Sequence, residues 1–217
     1  MRIYHEILDK LHNGVPFKFS RWGDGEWLTM MGFQGQNRDG NNYTPELREA
    51  LIKILYSEPQ YYMGLQYGVL YNEQLRKYVF SELFFHDKIN WVFGDVLHVA
   101  SELGLLRHFT DALKDRSVVV IGADYFHDLP YSHIKIPEAN SYPDNREILR
   151  EVDKYILTGY FDNGVVLVAA AMNSNVIIDK LPDTVTTIDI GSVFDPYLGR
   201  PRASYQHKMN VTLKDLF

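Results

Sequence analysis

Apolar and polar positions alternate along the chain with two different periods. Apolar residues recur at helical spacing over residues 3–11, 45–55, 72–85, 96–103, 144–157 and 174–181. Short apolar or alternating segments, typical of strands, occupy residues 17–21, 61–66, 89–93, 117–121, 134–137, 165–171 and 184–190. Because strands and helices follow one another in this way, the sequence predicts a single-domain, Rossmann-like α/β fold over residues 1–217. We expect a doubly wound, mostly parallel sheet flanked by helices.

Two uninterrupted apolar segments predict the centre of that sheet. They read SVVVI over residues 117–121 and VVLVAAA over residues 165–171, and such segments are typical of strands covered on both faces. Thr44 and Pro45 have the order expected at a helix start, and Ser174 is predicted to cap the helix that follows the second segment. The polar segment NRDGNN, residues 37–42, is predicted to be a mobile loop.

The composition indicates a globular protein of one domain and excludes chemistry that depends on cysteine. The chain has 217 residues, of which 46% are hydrophobic, and this is enough for one domain with a sizeable core. It contains no cysteine, so disulfides, thiolate metal sites and cysteine nucleophiles are excluded. The first residues lack the apolar core of a signal peptide, and no stretch approaches the roughly 18 apolar residues of a membrane helix. We therefore expect a cytoplasmic protein without a membrane span.

The charge balance gives no support to a nucleic-acid partner. The formal net charge is −6, so a global basic footprint is absent. A nucleic-acid acceptor would need a local basic surface, for which Arg200, Arg202 and Lys208 are candidates. The sequence also lacks the motifs of phosphate loops, of three-glycine dinucleotide sites, of zinc proteases and of serine hydrolases. Any chemistry therefore has to come from other residues.

The segment SRWGDGEW, residues 20–27, is the most informative one. Asp24 and Glu26 stand two residues apart in a glycine-broken turn after a predicted strand, where their carboxylates would converge on one cation. Mg²⁺ or Mn²⁺ prefers oxygen ligands and keeps positions open for substrate phosphates. Gly23 and Gly25 permit a sharp turn and a close approach to a ligand, and Arg21 would face phosphate oxygens. The alternative is an ordinary turn with two solvated acids.

Polar residues follow three of the predicted strands, at residues 122–124, 172–175 and 189–191. Ligands bind outside the carboxyl ends of strands in open α/β sheets, so these residues are candidates for a binding site. A helix that starts at Ser174 would offer its N–H groups to an anion such as pyrophosphate. An ordinary helix cap is the alternative interpretation of the same serine.

The segment GSVFDPYLGRPR, residues 191–202, combines turn residues with one acid and two arginines. It suits a loop that closes over a substrate, and the alternative is a loop that packs its aromatic side chains. Trp22, Trp27 and Trp91 are candidates for stacking on a sugar or a base, although tryptophan is more often a core residue. His207 is a candidate metal ligand, although a lone histidine more often lies at the surface.

In their order along the chain, these segments resemble the glycosyltransferases of the GT-D fold, a family first catalogued as a domain of unknown function. The family's RxGDGE motif matches residues 21–26. Its later features match Phe33-Gln34, the PxxN pattern of residues 137–140, the strand, loop and helix of residues 165–181, and Asp189-Ile190-Gly191 followed by Asp195 and Tyr197. Residues 171–174 and 121–124 depart from the family pattern, and both segments belong to the expected donor pocket.

The resemblance implies a metal-dependent transfer of a hexose from a nucleotide sugar, typically a UDP-sugar, to a hydroxyl acceptor such as a glycan. It implies that Asp24 and Glu26 hold Mn²⁺ or Mg²⁺ against the donor pyrophosphate, with the ion as Lewis acid and template. Asp195, and more weakly Asp189, are candidates to deprotonate the acceptor hydroxyl or orient the sugar. The expected donor-binding residues are Arg21, Gly23, Gly25, Asn173, Ser174, Asp189 and Gly191.

Two other functions stay open at this point. The same acids would serve a metal-dependent hydrolase of nucleotide sugars or phosphoesters, which needs no acceptor. A non-catalytic module that binds a nucleotide or a glycan would saturate with its ligand and form no product. The sugar, the acceptor, the stereochemical outcome and the oligomeric state are also left open by the sequence.

Overall fold

A seven-stranded sheet forms the centre of the structure, a computed structural model that describes residues 2–37, 39–158 and 164–217. The strands are β1 (Lys18–Trp22), β2 (Tyr62–Leu65), β3 (Trp91–Phe93), β4 (Val118–Gly122), β5 (Ser132–Lys135), β6 (Val165–Val168) and β7 (Thr186–Asp189). Their order across the sheet is β3-β2-β1-β7-β6-β4-β5, and every neighbouring pair is parallel. The predicted α/β sheet is therefore confirmed.

Helices cover both faces of this sheet. They are α1 (Arg2–His12), α2 (Asp24–Met30), α3 (Pro45–Tyr56), α4 (Glu73–Phe85), α5 (Val96–Glu102), α6 (Leu106–Asp111), α7 (Asn145–Leu157) and α8 (Asn173–Lys180). On one face α1, α5 and α6 pack with residues of the C-terminal segment, and on the other lie α2, α3, α4, α7 and α8. In the described residues, no helix has both the length and the apolar character that crossing a bilayer requires.

The central strands are apolar without interruption because they have no solvent face. In β4, Val118 and Val120 contact the first helical layer, whereas Val119 and Ile121 contact the second. The segment VVLVAAA is a strand only as far as Val168, since the chain then turns towards α8. Two short helices, α2 and α6, were not predicted. The helix α2 has seven residues including a glycine, so its helical pattern is weak.

Most predicted helix starts are confirmed, and one is wrong. Thr44 accepts a hydrogen bond from the Leu47 N–H at 3.2 Å, and Pro45 is the first residue of α3. Ser174, in contrast, is not the cap of α8, which already begins at Asn173. The Ser174 hydroxyl lies inside the first helical turn and accepts from the Ala170 N–H at 3.0 Å. It therefore fastens the turn between β6 and α8.

Two glycines allow β2 and the end of β3 to approach closely. A Cβ atom at Gly94 would lie 2.5 Å from the carbonyl oxygen and 2.7 Å from the carbonyl carbon of Gly64. These are backbone atoms of a hydrogen-bonded sheet, so they cannot move aside alone. The carbonyl of Gly94 and the side chain of Asp95 both contact Arg21, at 3.2 and 3.4 Å. The close approach of the two strands therefore positions the partners of Arg21.

We expect Gly94→Ala to lower the free energy of unfolding by about 1–3 kcal/mol, because the added methyl group forces β2 and β3 apart. The matched control is Gly68→Ala, since a Cβ atom there meets nothing within 4 Å. That control should change stability by less than about 0.5 kcal/mol. Urea unfolding of both variants measures the difference, and equal losses would contradict the close-approach explanation.

Candidate active site

A cavity of about 340 Å³ opens at the carboxyl edge of the sheet, where the segments after β1, β2, β4, β5, β6 and β7 meet. This is the edge at which parallel α/β sheets bind their ligands. The predicted site residues that line it are Arg21, Asp24, Gly25, Glu26, Asp189 and Gly191. The predicted residues Gly23, Asn173, Ser174 and Asp195 do not line it.

Glu26 is a buried acid in the first turn of α2. Its Oε2 accepts a hydrogen bond from the Gly23 N–H at 2.8 Å, and its Oε1 accepts from the Asn175 amide at 3.3 Å. Burial raises its pKa to about 7 against the lowering effect of its backbone hydrogen bonds, and Asp189 and Asp24 add repulsion. Glu26 therefore closes the start of α2 while its carboxylate also borders the cavity.

Asp24 differs from Glu26 in its exposure. Its side chain is exposed, and among the described residues its only hydrogen bond is accepted by Oδ1 from the Gly25 N–H at 3.0 Å. Both acids line the same cavity, so the structure brings the predicted pair together. The alternative interpretation of the sequence was an ordinary turn in which both acids are solvated. Asp24 is solvated in this way, whereas Glu26 is not, since it is only 7% exposed.

The two glycines of this segment are explained by close neighbours. A Cβ atom at Gly23 would lie 2.3 Å from the side-chain oxygen of Gln66. A Cβ atom at Gly25 would lie 3.2 Å from the Met172 side chain, which also lines the cavity. The first turn of α2 therefore lies close against the ends of β2 and β6, and only Gly25 borders the cavity itself.

Arg21 is held by acceptors of the protein. Its Nε donates to the Gly94 carbonyl at 3.2 Å, and Nη2 lies 3.4 Å from Asp95 Oδ1. Its Nη1 lies 3.9 Å from Asp189 Oδ1. The residue is only 8% exposed, although it borders the cavity. All three nitrogens of its guanidinium therefore already lie near protein acceptors. Arg21 can act on a ligand through its positive charge, but it has few free N–H groups to donate.

Asp189 and Gly191 form the neighbouring wall at the end of β7. Asp189 Oδ1 accepts from the Gly191 N–H at 2.9 Å. Burial raises the pKa of Asp189 to about 6, although the positive charge of Arg21 opposes that rise. Gly191 has a φ of +47°, and a Cβ atom there would lie 1.9 Å from Arg21 Nη1. A glycine is therefore required here on two grounds.

The first turn of α8 is occupied by contacts within the protein. The Asn173 amide donates to the Ser141 hydroxyl at 3.2 Å, so Asn173 and Ser174 face the interior and not the cavity. Asn175 belongs to the candidate segment 172–175 of the sequence analysis but was not among the expected donor-binding residues. Its amide lies 3.1 Å from the Arg21 carbonyl and 3.3 Å from Glu26 Oε1. The available signal was the polar triplet NSN at the start of an otherwise apolar helix.

Asp195, the predicted base, is fully buried at 0% exposure. Its Oδ1 accepts from the Tyr125 hydroxyl at 3.1 Å, and its Oδ2 lies 2.8 Å from Arg202 Nε. Burial raises its pKa to about 7, whereas Arg202 and the Tyr125 hydrogen bond oppose the rise. Tyr125 and Arg202 line the cavity, and Asp195 lies behind them. The structure therefore does not bring this carboxylate to the cavity.

The predicted mobile loop spans residues 37–42, of which residue 38 lies outside the described residues, and the others make several hydrogen bonds beside the cavity. Asn37 Oδ1 accepts from the N–H groups of Asp39 and Asn41, at 3.0 and 2.9 Å. Asn140, from the PxxN segment, has a φ of +59° and accepts from the Asn42 N–H at 2.6 Å. Its own N–H donates to Asn41 Oδ1 at 2.9 Å. These asparagines therefore interlock two loops beside the cavity.

Among the described residues that line the cavity, acids outnumber bases. The lining acids are Asp24, Glu26, Asp39, Glu138 and Asp189, and the lining arginines are Arg21 and Arg202. Both arginines already lie close to carboxylates. This charge balance favours the binding of a cation at the cavity.

Two carboxylates at the cavity are able to contact such a cation. Asp24 offers an exposed carboxylate, and Glu26 offers one whose oxygens already accept from N–H groups. Over the described ranges, no group of three or more histidine, aspartate or glutamate side chains is arranged to hold a metal ion. The acids therefore fit an ion that keeps water or ligand oxygens at its other positions, as Mg²⁺ commonly does.

Apart from Arg202, the candidate tryptophans, the candidate histidine and the candidate residues of a basic surface do not line the cavity. Trp22 and Trp27 are fully buried in the core, as the more ordinary interpretation holds, and Trp91 packs beside them. His207 is exposed. Arg200 and Arg202 lie near Glu138, at 3.8 and 3.7 Å, so these arginines do not form a basic surface for nucleic acid.

Comparison with known proteins identifies the same fold in solved structures. No family model and no curated protein matches the sequence. A structure described as a new glycosyltransferase (DUF1792) from Streptococcus sanguinis aligns with a TM-score of 0.67 at 15% identity, over 96% of this chain and 91% of that chain. Another, described as domain of unknown function 1792 with a distinct glycosyltransferase fold, aligns with a TM-score of 0.59 at 18% identity, over 95% and 88%. The resemblance is therefore confirmed at the level of the fold.

We expect Gly191→Ala to destabilise the protein more than Gly199→Ala. Both glycines have positive φ, +47° and +70°, so both variants lose about 1–2 kcal/mol to backbone strain. A Cβ atom at Gly199 meets nothing within 4 Å, whereas one at Gly191 displaces Arg21 and adds about 1–3 kcal/mol. Urea unfolding compares the two, and equal losses would argue against the contact with Arg21.

The buried carboxyl of Asp195 should make stability depend on pH. Its pKa is about 7 in the folded protein against an ordinary 3.8, so its stabilising contribution is present below pH 3.8 and is lost as the pH rises to 7. The Asp195→Asn variant lacks this loss. Its unfolding free energy relative to the wild type should therefore rise between pH 4 and 7, by at most about 1.4 kcal/mol per pH unit. Urea unfolding at three pH values measures this, and a constant difference would refute it.

Proposed function

We propose that this chain is a metal-dependent glycosyltransferase that transfers a hexose from a UDP-sugar to a hydroxyl group of a glycan. One observation carries the proposal. Asp24 and Glu26 of the GDGE segment meet at one acid-rich cavity, at the carboxyl edge of a sheet whose fold is shared with structures described as glycosyltransferases. Such a cavity needs a cation before it admits an anionic donor.

The residues of the first turn of α2 have separate tasks in this proposal. Asp24 and Glu26 would hold Mn²⁺ or Mg²⁺ against the donor, and the bound ion would neutralise negative charge on the departing diphosphate. Asp24 is the more accessible of the two, since it is exposed and Glu26 is buried. Arg21 would add a positive charge at the cavity wall. The position of this charge is fixed, because the guanidinium is paired with Asp95 and Asp189.

In this proposal an acid that lines the cavity removes the proton from the acceptor hydroxyl. Of the two candidate bases, Asp189 lines the cavity and Asp195 does not. Burial raises the pKa of Asp189 to about 6, which brings it closer to the neutral pH at which a base works best. We assign Asp189 to proton acceptance or to orientation of the transferred sugar.

The competing functions are separated by one pair of assays. A donor screen by thermal shift with Mn²⁺ identifies the nucleotide sugar, because a ligand that binds the native state raises its stability. Product analysis with and without a panel of glycan acceptors then follows. A transferase forms product only with an acceptor, a hydrolase releases sugar without one, and a binding module is stabilised by the ligand and forms no product.

Asp24→Asn should lower Mn²⁺-dependent turnover of the donor by about 100-fold or more, because it removes a charge that acts on the diphosphate through the ion. Its exposed side chain hydrogen-bonds, over the described ranges, only to the Gly25 N–H of its own helix turn, so the melting temperature should change little. UDP release together with thermal unfolding measures both effects. Asp87→Asn is the matched control, since Asp87 is also an exposed acid and does not line the cavity.

Glu26 requires a more conservative replacement than alanine. Its carboxylate closes the start of α2, so Glu26→Ala should also cost about 1 kcal/mol of stability. Glu26→Gln keeps the shape of the side chain and removes the charge. Wild-type turnover in both Asp24→Asn and Glu26→Gln would reject the metal-binding role of this pair.

A further inference from the structure

Arg202 is held along one edge of its guanidinium group. Its Nε lies 2.8 Å from Asp195 Oδ2, and its Nη2 donates to the Tyr125 hydroxyl at 2.7 Å. The Tyr125 hydroxyl in turn donates to Asp195 Oδ1 at 3.1 Å, so the three groups form a closed triangle. Burial raises the pKa of Tyr125, which therefore stays protonated and able to donate. One of the side chain's five N–H donors is thus committed to a hydrogen bond with Tyr125, and Nε makes a close ion-pair contact with Asp195.

Within the part of the chain that the structure describes, the remaining donors of Arg202 have only distant acceptors. Nη1 lies 4.0 Å from Asp39 Oδ1, and Nη2 lies 3.7 Å from Glu138 Oε1. Both distances exceed a hydrogen bond. The side chain is 35% exposed and lines the cavity, whereas Arg21 is almost buried and its three nitrogens all lie near protein acceptors. Of the two lining arginines in the described residues, Arg202 is therefore the one with N–H groups to offer a ligand.

The backbone around Arg202 is fixed independently of its side chain. Gln206 Oε1 accepts from the N–H groups of Arg202 and Ala203, at 2.8 and 3.0 Å. The Gln206 amide donates to the Ser192 carbonyl at 2.8 Å, which ties the segment to the end of β7. The Arg200 N–H donates to the Asp195 carbonyl at 2.8 Å. The base of the side chain is therefore held in place before any ligand arrives.

We propose that Arg202 contacts the phosphate groups of the donor, and that Asp195 and Tyr125 are positioning residues which aim its guanidinium. The planar fork of arginine matches phosphate oxygens with two parallel N–H donors, which a lysine ammonium does not reproduce. Asp39 and Glu138 balance the charge of Arg202 until phosphate oxygens replace them. This inference rests on the proposed function, and it gives Asp195 a role other than that of the base.

Calorimetry with UDP and Mn²⁺, and with pyrophosphate and Mg²⁺, at pH 8 tests this assignment. Arg202→Lys should weaken binding of both probes by about 10-fold, and Arg202→Gln by more, as expected for the loss of charge-assisted hydrogen bonds. The control is Arg146→Gln, in α7. Arg146 is exposed and does not line the cavity, so its variant should keep the wild-type affinity within about 2-fold.

Asp195→Asn distinguishes a positioning residue from a base. A positioning role predicts weaker UDP binding, and it predicts that Asp195→Asn combined with Arg202→Gln binds no more weakly than Arg202→Gln alone. Thermal unfolding at the same pH shows that the variant is folded. Unchanged UDP affinity with lost turnover in Asp195→Asn would make Asp195 the base and overturn the proposal.

The wild type and the arginine variants separate the two proposals from each other. If the wild type binds UDP and both Arg202 variants bind it equally well, the assignment of Arg202 is overturned while the proposed function stands. If the Arg202 variants lose affinity for both probes but the wild type forms no transfer product with any acceptor, the proposed function fails while the phosphate contact stands. If the wild type binds neither UDP nor pyrophosphate, both are overturned.

Discussion

The buried carboxylate of Glu26 is the group on which the arrangement of the site depends. It accepts from the Gly23 N–H at the start of α2 and from the Asn175 amide in α8. Asn175 also donates to the Arg21 carbonyl at the end of β1. A carboxylate removed from water is unfavourable unless such donors surround it, so the three elements are held in the one arrangement that satisfies it. The exposed Asp24 is carried into the cavity by that arrangement.

Ion pairs between arginine and acidic side chains line the rest of the cavity, and these pairs differ in distance and burial. Arg21 is buried among Gly94, Asp95 and Asp189, so it has little freedom to respond to a ligand. Arg202 is anchored on one edge and loosely paired on the other. The cavity thus combines a fixed positive potential with an adaptable arginine, and both lie among acids that leave room for a cation.

The sequence predicts the frame of the protein better than the details of its site. The uninterrupted segments of β4 and β6 identify buried strands, because covering both faces removes every polar position. The GDGE segment identifies two cavity acids because its glycines mark a close approach of backbone and neighbouring elements. The role of Asp195 cannot be seen in the same way. The burial of Asp195 and its pairing with Arg202 are set by tertiary structure. In the sequence, an acid in a turn-rich segment gives the same pattern whether its side chain faces a ligand or the core.

The interlocking of Asn140 with the loop around Asn41 joins residues about one hundred positions apart, and Glu26 meets Asn175 across 149. Each of these contacts closes a long loop of chain, so the arrangement of the site is non-local in sequence. The N-terminal half of the sequence contains Asp24, Glu26 and Asn41 but neither Asn140 nor Asn175, which hydrogen-bond to Asn41 and Glu26. A chain shortened before α8 would therefore keep both acids of the GDGE segment and lose the amide that holds Glu26.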